Sequence, residues 1–167
     1  QNKIAMKKYL VLALCLLILT VGHAQNYTEY FANKTLRVDY IFTGDASCQN
    51  VCLDELSVLP SWAGRHQHLA ELPLQGNGQI IMKDLESGKT VYTTSFSSLF
   101  QEWLETDEAK VVSKGFENTF LLPYPLRPVE IEITLLSPRK EVRTCLKHTV
   151  RPDDVLIHQK GTAHITP

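Results

Sequence analysis

Val129 to Val150 reads VEIEITLLSPRKEVRTCLKHTV, and the reading of this stretch decides the fold. Val129, Ile131, Ile133 and Leu135 alternate with Glu130, Glu132 and Thr134. After Ser137-Pro138-Arg139-Lys140, the residues Val142, Thr144, Leu146, His148 and Val150 alternate with Arg143, Cys145, Lys147 and Thr149. A period of two sends every second side chain to one face, so the stretch predicts two half-buried strands joined by a turn. Glu130 or Glu132 opposite Arg143 or Lys147 would favour that hairpin by roughly 0.2–1 kcal/mol per pair. His148 falls on the core face, where it reads as a core or rim residue rather than a catalyst.

The same rhythm runs backwards along the chain. Phe116 to Pro123 reads FENTFLLP, a strand ended by proline, and Pro123, Pro125 and Pro128 make 122–128 a stiff extended crossing. Gln79 to Asp84 and Thr90 to Phe96 flank Glu86-Ser87-Gly88-Lys89, which reads as a hairpin. Thr35 to Phe42 alternates Leu36, Val38, Tyr40 and Phe42 with Arg37, Asp39 and Ile41. Val51 to Leu59 fits helix or strand, with strand preferred, and Pro60 closes it. Ser97-Ser98 before Leu99, Phe100, Trp103 and Leu104 predicts a short helix with a serine cap, Glu102 at the capping-box position and one apolar face. Trp103 is then expected in the core. Trp62-Ala63-Gly64-Arg65 reads as an exposed turn, which makes Trp62 the better candidate for a surface aromatic. Six or seven short strands, one short helix and no parallel βαβ rhythm predict an all-β antiparallel sandwich of immunoglobulin-like or fibronectin-like type.

The first 24 residues stand apart. Lys3, Lys7 and Lys8 precede an uncharged run from Tyr9 to Val21, and Gly22-His23-Ala24 supplies small residues for a cut between Ala24 and Gln25. This is the layout of a secretory signal peptide, and the apolar run is short for a membrane span. An uncleaved anchor is the competing reading. The domain plan is therefore a signal over 1–24, a lead-in over 25–34, a sandwich over 35–157 and a polar linker over 158–167. The expected location is exported: secreted, periplasmic or at the cell surface, with no membrane span once the signal is gone.

The whole chain has 167 residues, 17 basic and 18 acidic, 44% hydrophobic and 8% aromatic. Removing the signal takes three lysines and no acid, which leaves 143 residues with a net charge of −4. That length supports one core without staples, and that charge lacks the basic footprint of a nucleic-acid binder. Of four cysteines, Cys15 leaves with the signal, and Cys48, Cys52 and Cys145 remain. Cys48 and Cys52 lie about 13 Å apart if the stretch between them is extended, beyond disulfide reach, but a turn there would allow a bridge. The plain reading is three small semi-buried residues.

Chemistry-bearing motifs are sparse. His66 and His68, one residue apart, would point the same way on an extended segment, with Glu71 the only carboxylate near in sequence. A solvated loop explains them better than a metal site. No His-Glu-x-x-His, phosphate loop or nucleophile elbow occurs. No catalytic, cofactor-binding or metal-ligating residue is assigned. Trp62, Arg65, His66 and His68 remain as the candidate binding surface.

Several blocks together carry a resemblance. They are Thr35-Leu36-Arg37-Val38-Asp39-Tyr40, Pro60-Ser61-Trp62-Ala63-Gly64-Arg65, Gly76-Asn77-Gly78-Gln79, Ser95 to Trp103 with Thr106-Asp107-Glu108-Ala109, and Phe116 to Pro123. In this order the chain resembles, from about Thr35 to Ile157, the N-terminal domain of the IgA-type zinc metallopeptidases, peptidase family M64, found in gut Bacteroidales. The resemblance implies a β-sandwich placed before a zinc peptidase domain, whose His-Glu-x-x-His helix binds the metal and handles the water proton. None of those residues maps onto a position here. It therefore implies a non-catalytic accessory domain, read as a fragment lacking the catalytic domain. That domain in cis would be its partner, with a protein substrate as a second, and zinc would belong to the catalytic domain alone. A stand-alone surface or periplasmic module for protein or glycan is the rival. A domain with its own metal or hydrolytic site is a third reading.

Overall fold

The computed structural model describes residues 26–71, 75–137, 139 and 141–160; the signal-peptide, cleavage-site and Cys15 readings lie outside them. Asn26 caps a single helical turn, α1 (Tyr27–Tyr30). Eight strands follow: β1 (Phe31–Gly44), β2 (Gln49–Leu59), β3 (Gly78–Asp84), β4 (Thr90–Phe96), β5 (Lys114–Pro125), β6 (Val129–Leu136), β7 (Val142–Val150) and β8 (His158–Gln159). A short helix, α2 (Leu99–Trp103), and a 3₁₀ turn (Glu108–Lys110) lie between β4 and β5. One sheet has the order β5-β1-β2-β8 and the other β4-β3-β6-β7. The two face each other across one core, as expected of an all-β sandwich. No helix among the described residues is long and apolar enough to cross a membrane.

The alternation read from 129–150 is what buries the inner faces. Val129, Ile131, Ile133 and Leu135 are at most 3% exposed, and β6 sits between β3 and β7. Each such residue contributes about 1.5–3 kcal/mol by leaving water. Glu132 stands opposite Lys147 in register and pairs with it at 3.0 Å, while Lys83 of β3 reaches the same carboxylate at 3.2 Å. On the other sheet Leu36, Val38, Tyr40 and Phe42 are fully buried.

Several elements differ from their sequence reading. β1 begins at Phe31, within the expected lead-in, because Phe31 and Ala32 pair with Pro125 and Tyr124 of β5. β5 runs on through Pro123 to Pro125, since an edge strand tolerates prolines whose missing N–H would point away from the ladder. His158 and Gln159, expected in a linker, pair in parallel with Ser57 and Val58. Val142, expected on the core face, is 65% exposed at the turn. Cys48, Cys52 and Cys145 are exposed free thiols rather than semi-buried ones.

Of the two tryptophans, Trp62 is buried where a surface ring was expected, and Trp103 packs against the core only in part. Trp62 is only 9% exposed and packs edge-on against Tyr92, with its indole N–H donating to the Arg65 carbonyl at 3.1 Å. Trp103 is half-buried. It stacks on Phe100 and Phe116, lies under Lys114, and donates its N–H to the exposed Glu108 carboxylate. Phe100 is the fully buried anchor of α2, and Leu99, expected beside it, is 73% exposed. A five-residue helix presents only one or two positions to a core, and Phe100 takes the inner one.

Candidate functional site

The residues singled out from sequence gather at one end of the sandwich, beside β4, where Trp62 and Arg65 are consumed by packing and His66 and His68 stay exposed. A Cβ on Gly64 would collide with the Trp62 ring, so the turn closes tightly over that tryptophan. Arg65 is half-buried over the Tyr92 ring at 4.9 Å. Its guanidinium donates to the carbonyls of Leu69 and Thr93. The Thr93 N–H in turn donates to the Leu69 carbonyl at 2.8 Å, so this loop covers the β4 edge. His66 leans on the Tyr27 ring, 4.2 Å between centroids. His68 has a positive φ of 51°, which breaks the extended geometry that would have aligned it with His66. It faces Glu71 at 3.5 Å, with both side chains more than three-quarters exposed. Among the described residues no three of His, Cys, Asp and Glu gather as metal ligands, so a zinc site has no set of groups to hold it here. Trp62 is thus a core residue, a correction to its reading as a surface aromatic, and Arg65 is a clamp on backbone carbonyls.

The opposite end is built differently. There the β1–β2 turn, the turn before β3, α2 and the β6–β7 turn converge around a hollow of about 380 Å³. Ser98 caps α2, accepting from the Gln101 N–H, while the Ser98 N–H donates to the Asn77 side chain at 3.0 Å. The capping-box position is therefore Gln101 rather than Glu102, and Asn77 supplies the reciprocal half. Gln101 instead donates its amide to the Leu136 carbonyl at 2.7 Å, and the Leu136 N–H donates to the Asn77 carbonyl at 2.9 Å. Gly76 holds its turn at a φ of 68°, where a side chain would meet the Phe96 backbone. Thr144 donates to the Gln49 carbonyl at 3.0 Å, tying β7 to β2 across the sandwich. Asp45 is held at a pKa of about 2 by the Ser47 hydroxyl, the N–H groups of Ser47 and Cys48, and Ser113, which fixes the β1–β2 turn.

Three charged groups on this frame have no partner among the described residues. Glu102 and Glu105 on one wall and Arg143 on the other are exposed. Among the described residues their side chains make neither an ion pair nor a hydrogen bond. Arg143 owes its freedom to an irregularity. Leu135 pairs with Thr144 and Leu136 with Val142, so Arg143 has no partner in register. A bulge of this kind re-aims a side chain, and the bulged residue lines the hollow. Sequence reasoning placed Arg143 in the hairpin's charge ladder and missed it as a site residue. No local signal marked it, since the irregularity shows only in the pairing of β6 with β7.

Between the two ends lies a buried polar pair. The Tyr40 hydroxyl and His148 Nε2 are 2.6 Å apart across the sheets, and His148 Nδ1 is buried without a partner among the described residues. Burial raises the Tyr40 pKa far above its usual value and lowers that of His148 to about 4. His148 is therefore neutral at pH 7.

A family model described as the N-terminus of peptidase M64 matches residues 26–147. No curated protein matches the chain.

Proposed function

The chain belongs to the peptidase M64 N-terminal family, and from that membership we propose that it is the non-catalytic accessory domain of an exported zinc metallopeptidase, supporting the catalytic domain's folding or presenting protein substrate to it. The observation that carries the reading is the pairing of this membership with a fold whose described histidines and carboxylates gather no metal ligand set. Lys160 donates its N–H to the Val58 carbonyl beside the Trp62 end. Export would begin with cleavage between Ala24 and Gln25.

The test compares a peptidase that carries this domain with the same peptidase lacking residues 26–160. The expected result is a lower kcat/KM on folded protein substrate, or loss of soluble catalytic domain, with hydrolysis of short peptides by the surviving enzyme little changed. Chelator-sensitive hydrolysis by the 167-residue chain itself, with about one zinc per chain, would overturn the reading. Equal kcat/KM and equal solubility with and without the domain would do the same, and would favour the stand-alone module.

A further inference from the structure

The geometry points to the hollow at the α2 end as a binding site for an extended polypeptide segment in which an acidic and a basic residue are adjacent. This rests on the reading of the chain as a domain that handles protein substrate. Three observations carry it. The first is charge: Arg143 stands on one wall and Glu102 and Glu105 on the other, all exposed and unpaired among the described residues. Opposite charges that line one hollow without pairing are held apart by the walls that bear them. The second is rigidity. The bonds from Gln101 to Leu136, Leu136 to Asn77, Asn77 to Ser98 and Thr144 to Gln49 fix the helix, the turn and β7 relative to one another. A ligand that fills the gap pays little to order it. The third is lining: the hollow carries leucines, amides and charges but no aromatic ring on which a sugar could stack.

An extended peptide meets these features through its own alternation. Successive side chains leave the backbone on opposite sides, so an acid turned toward Arg143 turns the next residue, a base, toward Glu102 and Glu105. The hollow's 380 Å³ lies at the low end for ligand sites, about 300–1,000 Å³, and suits a short segment rather than a folded surface. Arg139 and Glu141 border an adjoining hollow that shares Glu105, Ser137 and Arg143, and their charges offset each other, so Arg143 carries the basic side.

The experiment titrates the 167-residue chain into a fluorescein-labelled octapeptide with capped ends and a central aspartate–lysine pair among glycines and alanines. Peptides with asparagine–glutamine, two aspartates or two lysines at the centre serve as comparisons. The mixed pair should bind about tenfold tighter than each of these, and Arg143→Glu should erase the preference, since charge placement sets specificity in such contacts. The triple variant Arg143→Glu, Glu102→Arg, Glu105→Arg rebuilds walls of opposite sign and should restore it. Among the described residues the Arg143 side chain makes no ion pair or hydrogen bond, so circular dichroism of both variants should match the parent. Equal affinity for all four peptides, or indifference to Arg143→Glu, overturns the proposal. So does saturable binding of a sialylated oligosaccharide that Arg143→Glu abolishes while the peptides do not bind. The cleavage comparison above tests the accessory reading separately. If deleting the domain changes nothing yet the titration behaves as expected, the reading falls and the groove stands. If deletion matters but Arg143→Glu does not alter peptide binding, the groove falls and the reading stands.

Discussion

The two ends of the sandwich use the same kinds of residue for opposite purposes. At the Trp62 end an arginine and a tryptophan are drawn inward, Arg65 onto carbonyls and Trp62 onto Tyr92, while the exposed His66 rests on Tyr27. At the α2 end the loops spend their hydrogen bonds on one another and leave Arg143, Glu102 and Glu105 facing water. The difference teaches that residue type does not mark a binding surface. A charged or aromatic side chain is available to a ligand only where the local backbone has already been satisfied by something else.

The sharpest break of this contrast is a pair of truncations. Trp62→Ala should cost on the order of 3–5 kcal/mol, because a large buried ring is lost and the turn over it loses its support. Trp103→Ala should cost about 1–2 kcal/mol, since that ring is only half-buried. Urea denaturation midpoints at constant slope would measure both. Equal costs would mean that the α2 end is as closed as the Trp62 end.

Acid provides the next test, aimed at the closed interior. The pKa of His148 is lowered by burial to about 4 in the fold, against about 6.5 in an unfolded chain. The unfolded state therefore takes up the proton first. The stability that neutral His148 allows is complete above pH 6.5 and is lost as pH falls toward 4, by roughly 2–3 kcal/mol. His148→Gln keeps a partner for Tyr40 but does not titrate, so its stability should fall less than the parent's over that window, the remaining slope coming from carboxylates such as Glu132 and Asp45 that the fold holds below their usual pKa. Parallel pH profiles for parent and variant would show that His148 is not buried as described.

The smallest effect is expected at the open end. Arg143→Glu should change folding stability by no more than about 0.5 kcal/mol, as for surface positions without partners. A larger loss, read from the same denaturation curves, would show that Arg143 braces the fold and is not free for a ligand.

Much of the fold was legible because β-strands write their burial into sequence. The alternation over 129–150 predicted the hairpin, its core face, and Glu130 or Glu132 opposite Arg143 or Lys147; the register bears out the hairpin and the Glu132–Lys147 pairing, while Val142 is exposed and Arg143 has no partner in register. The 79–96 hairpin was equally plain, with Asp84 accepting from Ser87 and Gly88 turning the chain at a φ of 68°. The site was far less legible. Neither Trp62 nor Trp103 belongs to an element long enough to show a period, so nothing local says which ring meets a sheet. His158 and Gln159 are too few and too polar to read as a strand, and only the open flank of β2 makes them one.

What the sequence determined, then, is the layered β architecture and the family, because alternation and the order of the quoted blocks are properties of the chain taken one segment at a time. What only the tertiary structure decided is availability: which tryptophan is buried, which arginine is spent, and that a single bulged residue, Arg143, is turned into a hollow built by four separate segments. Those outcomes depend on distances between residues far apart in sequence, where a neighbour's hydrogen bond or ring removes one side chain from water and leaves another exposed.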